Sequence, residues 1–208
     1  MDTDPDADKS VERIVVWRSL DRVALERCVF ASAKHGYSFE GTVLTADPPL
    51  EVRYEIVCDR VWRTRSVRVR IDGGDFAREV ELECDGHGVW RDGSRVLHEL
   101  DGCHDVDLSF TPATNTLPIR RLELPIGASA SVTSAWIRIP EWTVQPLDQR
   151  YTRLEARRYV YESPGFQAEL ELDDLSLVER YDELWARVGE APFPLRRDLS
   201  GSTSSRSE

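Results

Sequence analysis

The stretch LDGCHDVDLSFTPATNTLPIRRL, Leu100 to Leu122, ends one kind of local structure and begins another. Its first half alternates. Val106, Leu108 and Phe110 fall on one side of an extended chain, and Asp105, Asp107 and Ser109 on the other, which is the period of a β-strand. Its second half cannot continue that strand, because Pro112 and Pro118 lack the N–H a ladder requires. Asn115 or Thr116 offers a short side-chain oxygen to cap a helix, and Pro118 then falls in the first turn, where a missing N–H is no loss. Pro125 and Gly127 close the segment, so a short helix from about Asn115 to Glu123 is expected, with Leu117, Ile119 and Leu122 to bury. The stretch therefore reads as a strand-to-helix crossover.

Strands surround it. EVRYEIVC puts Val52, Tyr54, Ile56 and Cys58 on one face and Glu51, Arg53 and Glu55 on the other. SVRVRIDGGDFAREVELEC reads as a hairpin turning at Gly73-Gly74, with Val67, Val69 and Ile71 facing inward beside Val80, Leu82 and Cys84, and with Arg68 opposite Glu79. Further strands are expected in ERIVVWRS, LERCVFAS, YSFEGTVLTA, SASVTSAWIRI, QRYTRLEA, RRYVYES and FQAELELD. Turn signals fall between them, as at Asp47-Pro48-Pro49 and Ser163-Pro164-Gly165. Beyond the crossover, only YDELWARV suggests a helical turn. Short strands at regular spacing imply a sandwich, barrel or roll. No composition shift marks a linker, so one domain is read over residues 11–188, with an acidic disordered tail over 1–10 and an extension over 189–208 that ends in a disordered Ser-rich run.

The bulk properties narrow the function classes. A chain of 208 residues can bury roughly 70% of its unfolded surface, so neither a disulfide nor a metal is needed for stability. Its net charge of −11 opposes phosphate backbones and anionic bilayers, so nucleic-acid binding is not expected. Neither a signal-like start nor a long apolar run is present, which implies a cytoplasmic protein without integral membrane association and four reduced cysteines.

Three kinds of chemistry can be weighed on the residues. Cys84, His87, His98, Cys103 and His104 lie close in sequence, but His98-x₄-Cys103 does not complete a zinc pattern, and no metal is expected. Asp105 and Asp107 stand roughly 6–7 Å apart on one side of a strand, a spacing open to acid–base work. Such a pair is more often solvated or matched by arginine, and His104 points to the opposite face. No G-x-S-x-G elbow, phosphate loop or H-E-x-x-H is present, so no catalytic residue, cofactor or enzymatic activity is expected. Arg60, Arg63, Arg65, Arg68 and Arg70 beside Trp62 resemble a nucleic-acid surface, but Glu79, Glu81 and Glu83 on the neighbouring strand neutralise it.

The crossover, followed by QRYTRLEARRYVYE and FQAELELDDLSLVERYDELW and preceded by WRSLD and VRYEIVCDRVWRTRSVRVRI, resembles the putative glycolipid-binding family of bacterial and archaeal proteins over roughly Ile14 to Val188. The resemblance implies a mainly β fold, a spiral β-roll in which a many-stranded antiparallel sheet wraps around a single short central helix, placed here on TNTLPIRRL. It transfers no catalytic residues and implies a lipid or glycolipid ligand in an apolar groove of the roll. Tyr54, Trp62, Trp90, Trp136 and Trp142 are candidates to line such a groove, or they are ordinary core residues. Arg120 and Arg121, with Asn115, are candidates for a polar head group at the groove's mouth. Alternatively the two arginines pair with Asp105 and Asp107 and pin the helix to the sheet. The competing function is an interaction module, since unpaired strand edges invite homodimerisation.

Overall fold

The computed structural model describes residues 10–74 and 76–192. The expected tail and extension lie outside the described residues, except that Ser10 opens the first strand and residues 189–192 continue the last. The first six strands are β1 (Ser10–Ser19), β2 (Ala24–Ala33), β3 (Gly36–Ala46), β4 (Pro49–Asp59), β5 (Thr64–Asp72) and β6 (Ala77–Cys84). Three short ones follow, β7 (Trp90–Asp92), β8 (Arg95–Val96) and β9 (Asp105–Leu108). The helix α1 (Thr116–Leu122) comes next. The chain then returns to strand: β10 (Ser129–Arg138), β11 (Thr143–Glu155), β12 (Arg158–Ser163), β13 (Phe166–Leu172), β14 (Val178–Tyr181) and β15 (Trp185–Pro192).

These strands form one sheet in the order β8-β7-β6-β5-β4-β3-β2-β1-β15-β14-β13-β12-β11-β10-β9. Every ladder is antiparallel except the last, where β9 runs parallel to β10. The sheet curls until β9 meets β5. There the Thr64 amide donates to the His104 carbonyl, and the Val106 amide donates to Thr64 Oγ1, each at 3.0 Å. Strands β6 to β8 continue past this seam, and the Trp90 indole donates to the Cys103 carbonyl at 2.8 Å. The result is the spiral roll with one short helix inside it. Among the described residues, no helix is long and apolar enough to cross a membrane.

Alternation builds the core as the sequence implies. Val52, Tyr54, Ile56 and Cys58 of β4 are buried, as are Val67, Val69 and Ile71 of β5 and Leu82 and Cys84 of β6. The hairpin register differs from expectation. Asp72 pairs with Ala77, so Arg68 faces Glu81 and Arg70 faces Glu79. The loop is two residues longer than a tight Gly-Gly turn, and Phe76 packs so close to Gly73 that a Cβ there would lie 2.5 Å from its ring. A shift of two preserves which side chains face inward.

The crossover is confirmed with one correction. A one-turn 3₁₀ helix, Ala113–Asn115, runs directly into α1, and Asn115 already has helical φ and ψ of −60° and −27°. Neither Asn115 nor Thr116 caps the helix. Thr111 does that work one turn earlier, its Oγ1 accepting the Ala113 amide at 3.0 Å. Thr116, Leu117, Pro118 and Ile119 are buried against the sheet.

Candidate functional site

The strand directions place the β1–β2, β12–β13 and β14–β15 turns at the same end of the roll, where the chain leaves β9 to enter the interior. At this mouth lies a cavity of about 590 Å³. Its walls include Trp136, Phe166, Tyr181 and Trp185, and its polar lining includes Asp107 and Asn115.

Asp107 lies beside Trp136 in the parallel β9–β10 pair. Its Oδ1 accepts the Thr114 hydroxyl at 3.2 Å and its Oδ2 accepts the Gln149 amide. The same Gln149 amide reaches Tyr161 Oη at 3.2 Å, while Gln149 Oε1 accepts the Ser134 hydroxyl at 2.9 Å. Asp107 keeps some exposure to the cavity it lines, yet desolvation outweighs these bonds and pushes its carboxyl up to about 6. Asn115 accepts the Tyr151 hydroxyl at 3.0 Å and donates to the Pro112 carbonyl at 3.3 Å.

A second carboxyl lies behind the wall. Thr111 lines the cavity and donates to Glu26 Oε1 at 2.7 Å, and the Tyr54 hydroxyl donates to the same oxygen. Glu26 is fully buried and its Oε2 has no partner. Burial raises its carboxyl to about 8 against the two hydrogen bonds, so it is a neutral acid at pH 7. Gly41 makes this arrangement fit, since a Cβ there would lie 2.2 Å from the Tyr54 ring.

Of the eight residues singled out in the sequence, Asn115 and Trp136 meet at this cavity. Tyr54 stands behind it. Trp90 is a fully buried core residue, and Trp142 lies under the Arg78 guanidinium at 5.8 Å. Trp62 is buried where β4 turns into β5, at the opposite end, stacked on Tyr37 with ring centroids 3.9 Å apart. Arg120 lies over Trp62 at 4.9 Å and lines a separate cleft of about 290 Å³ with Arg153. Arg121 grips the fully buried Asp105 with two bonds, Nε to Oδ1 at 2.9 Å and Nη2 to Oδ2. The pinning alternative therefore holds for Arg121 and Asp105, whereas Asp107 turns to Thr114 and Gln149. In the basic stretch, Arg68 lies against Glu81 and, at 3.7 Å, Glu79.

Sequence reasoning missed Glu26, Gln149, Trp185 and Phe166. Glu26 carried a signal. In ALERCVF it shares the phase of Ala24, Cys28 and Phe30, all buried, while Leu25 points outward. A carboxyl on the apolar phase of a strand marks a buried polar site. Gln149 likewise shares the inward phase of Tyr151.

The profile of the family described as "putative glycolipid-binding" matches residues 14–187. Among solved structures, the chain is similar to a DUF1089 family protein from Pseudomonas aeruginosa, at 31% identity and a TM-score of 0.73, covering 79% of this chain and 92% of that one. A beta-barrel-like protein of the domain of unknown function DUF1849 from Brucella abortus aligns at 10% identity and a TM-score of 0.48, covering 90% of this chain and all of that one. No curated protein matches the chain significantly. With the profile spanning most of its length, the chain belongs to the putative glycolipid-binding family.

Proposed function

We propose that the protein is a carrier for an amphipathic lipid, such as a glycolipid, that seats the polar part of its ligand in the mouth cavity. The carrying observation is the composition of that cavity: aromatic walls over a buried polar floor, in a volume within the range of small-molecule sites. A second feature supports it. Arg22 lines both this cavity and an outer groove of about 850 Å³, where Val23, Leu25 and Leu44 are 76%, 47% and 52% exposed. A head group in the cavity and a hydrocarbon chain over the rim would cover both surfaces. In this reading Asp107 binds and does not catalyse. The same exposed side chains favour the competing reading, a surface for a second copy of the chain.

The test is native mass spectrometry of protein purified from its own host without detergent, followed by organic extraction. A stoichiometric lipid adduct is expected. A clean apo mass that stays clean after exposure to a host lipid extract overturns the carrier reading, and a lipid-free dimer would replace it.

A further inference from the structure

We propose that the mouth end of the roll docks on a lipid bilayer whose surface is neutral or zwitterionic, so that the cavity opens against the membrane that supplies its ligand. This rests on the carrier reading and adds to it a macromolecular contact and the surface that makes it.

The first argument is position. Antiparallel pairing sends successive turns to opposite ends, so the β3–β4, β5–β6 and β10–β11 turns join the β1–β2, β12–β13 and β14–β15 turns around the mouth. Nine large hydrophobic side chains are exposed among the described residues, and five of them stand at this rim. Val23, Leu25 and Leu44 flank the outer groove at the β1–β2 turn. Phe76, 49% exposed, belongs to the β5–β6 turn, and Phe166, 40% exposed, follows the β12–β13 turn. Four strand spacings, about 19 Å along the sheet, separate the β1–β2 turn from each of the other two, one on either side. A hydrocarbon tail in the groove covers the first group and not the others, whereas a broad apolar partner laid across the mouth meets all three. The opposite end exposes Val61, Ile126 and Leu154, but it is filled by the aromatic stack of Phe30, Tyr37 and Trp62.

The second argument is charge. Among the described residues of these six turns, Asp21, Asp47, Glu141, Asp182 and Glu183 are acidic and Arg22 is basic. Arg22 and Arg138 offset Asp21 and Glu141, at 3.7 and 3.0 Å, which leaves the rim negative. A second copy meeting this one rim to rim would set these acids against each other, on chains that each carry a net charge of −11. That disfavours a dimer through this surface, and an anionic bilayer is repelled for the same reason. A zwitterionic bilayer has no net charge to oppose the rim, and apolar side chains that enter its interface gain the free energy of leaving water. Exposed apolar groups interleaved with acids around an open cavity therefore fit an uncharged lipid surface.

Vesicle flotation tests the whole protein against vesicles of dioleoylphosphatidylcholine, alone and mixed with dioleoylphosphatidylglycerol. Lipid loading is read separately, by native mass spectrometry after exposure to a host lipid extract. The protein is expected to float with the zwitterionic vesicles and to bind the anionic ones at least about twofold less tightly, a difference that salt removes. Phe76→Ser is expected to weaken vesicle binding about fivefold while leaving loading unchanged, since Phe76 lies outside both the cavity and the groove. Val61→Ser, at the opposite end, is expected to change neither. The wild-type comparison of the two vesicles stands even if a variant folds poorly. Failure to float with zwitterionic vesicles, tighter binding to anionic ones, or equal losses in Phe76→Ser and Val61→Ser overturns the inference, and a lipid adduct in the same preparation leaves the carrier standing. A lipid-free dimer, or a complex with a basic host protein, that Phe76→Ser dissociates overturns it as well. Vesicle binding without any loaded lipid overturns the carrier reading and leaves the docking surface.

Discussion

Replacing Glu26 with Gln should remove a pH dependence of stability that the wild-type fold carries. The folded protein holds the Glu26 proton up to about pH 8, against an ordinary value of 4.5. Between those values the folded state binds more protons than the unfolded one, so this group's contribution to stability falls as pH rises. The loss reaches about 3 kcal/mol at pH 7 and about 5 kcal/mol at alkaline pH, at about 1.4 kcal/mol for each tenfold change in proton activity. Gln has the same shape, its Oε1 can still accept from Tyr54 and Thr111, and it never ionises. The variant should therefore resemble wild type near pH 5 and exceed it by about 3 kcal/mol near pH 7.5, which is about 6–12 °C in Tm for a chain of this size. Thermal unfolding followed by circular dichroism at fixed ionic strength measures the difference. Asp107 adds a dependence of the same sign between its ordinary value of 3.8 and about 6, but it is common to both proteins and cancels. Parallel Tm curves for the two proteins from pH 5 to 8 would refute the claim that Glu26 is a buried neutral acid.

The two helix arginines should separate in urea unfolding. Arg121→Ala strands the fully buried Asp105 and should cost about 3–5 kcal/mol, whereas Arg120→Ala gives up the contact with Trp62, about 0.5–2 kcal/mol; the reverse order would contradict the pinning role. Gly41→Ala should destabilise by about 1–3 kcal/mol or more, because the new methyl meets the Tyr54 ring. Since Tyr54 would be pushed off Glu26, the same variant should also alter the pH dependence of Tm, and a neutral effect on both would show that the interior there is loosely packed. Trp17→Phe should cost about 0.5–1.5 kcal/mol, since the Val178 carbonyl would lose its 2.7 Å indole donor inside the core but keep the Arg187 guanidinium at 3.0 Å; an unchanged urea midpoint would show that the remaining donor suffices.

Where local periodicity decides structure, the sequence was legible. Alternation located the inward faces of β4 to β6, strand-like composition between turn signals located β2, β3 and β10 to β13, and proline placement located the helix. What failed depends on distant partners. The β7 and β8 strands span three and two residues, too short for a pattern, and exist because they lie beyond the seam on β6. The hairpin register moved by two because Phe76 found packing against Gly73. Asn115 did not cap the helix because Tyr151, thirty-six residues away, claimed its oxygen. The fate of the arginines was set by which end of the roll each one reached, and nothing local encodes that. The aromatic candidates fared likewise: tryptophan content says that large rings will be buried, but not which of them border empty space.

The two ends of the roll are built to different purposes. At the end where β4 turns into β5, Phe30, Phe39, Tyr37 and Trp62 stack into a continuous aromatic plug, with centroids 5.1 Å apart for Phe30 and Phe39 and 5.9 Å for Phe30 and Trp62, and Arg120 lies on its outer ring. Nearby, the β5–β9 seam and the Asp105–Arg121 pair fasten the helix segment to the wall. At the mouth, carboxyls and amides stand among the aromatic rings, and the carboxyls of Glu26 and Asp107 are held above their ordinary range by burial. Apolar side chains there would make the fold more stable. Thr111 and Thr114 tie both carboxyls to the single segment that leads from β9 into α1, so occupancy of the cavity and the anchoring of the helix share the same hydrogen bonds. A ligand that satisfies Asp107 should therefore rigidify the entry to α1 as well as fill the mouth, and substitutions in the aromatic plug should lower stability while leaving affinity for the ligand unchanged.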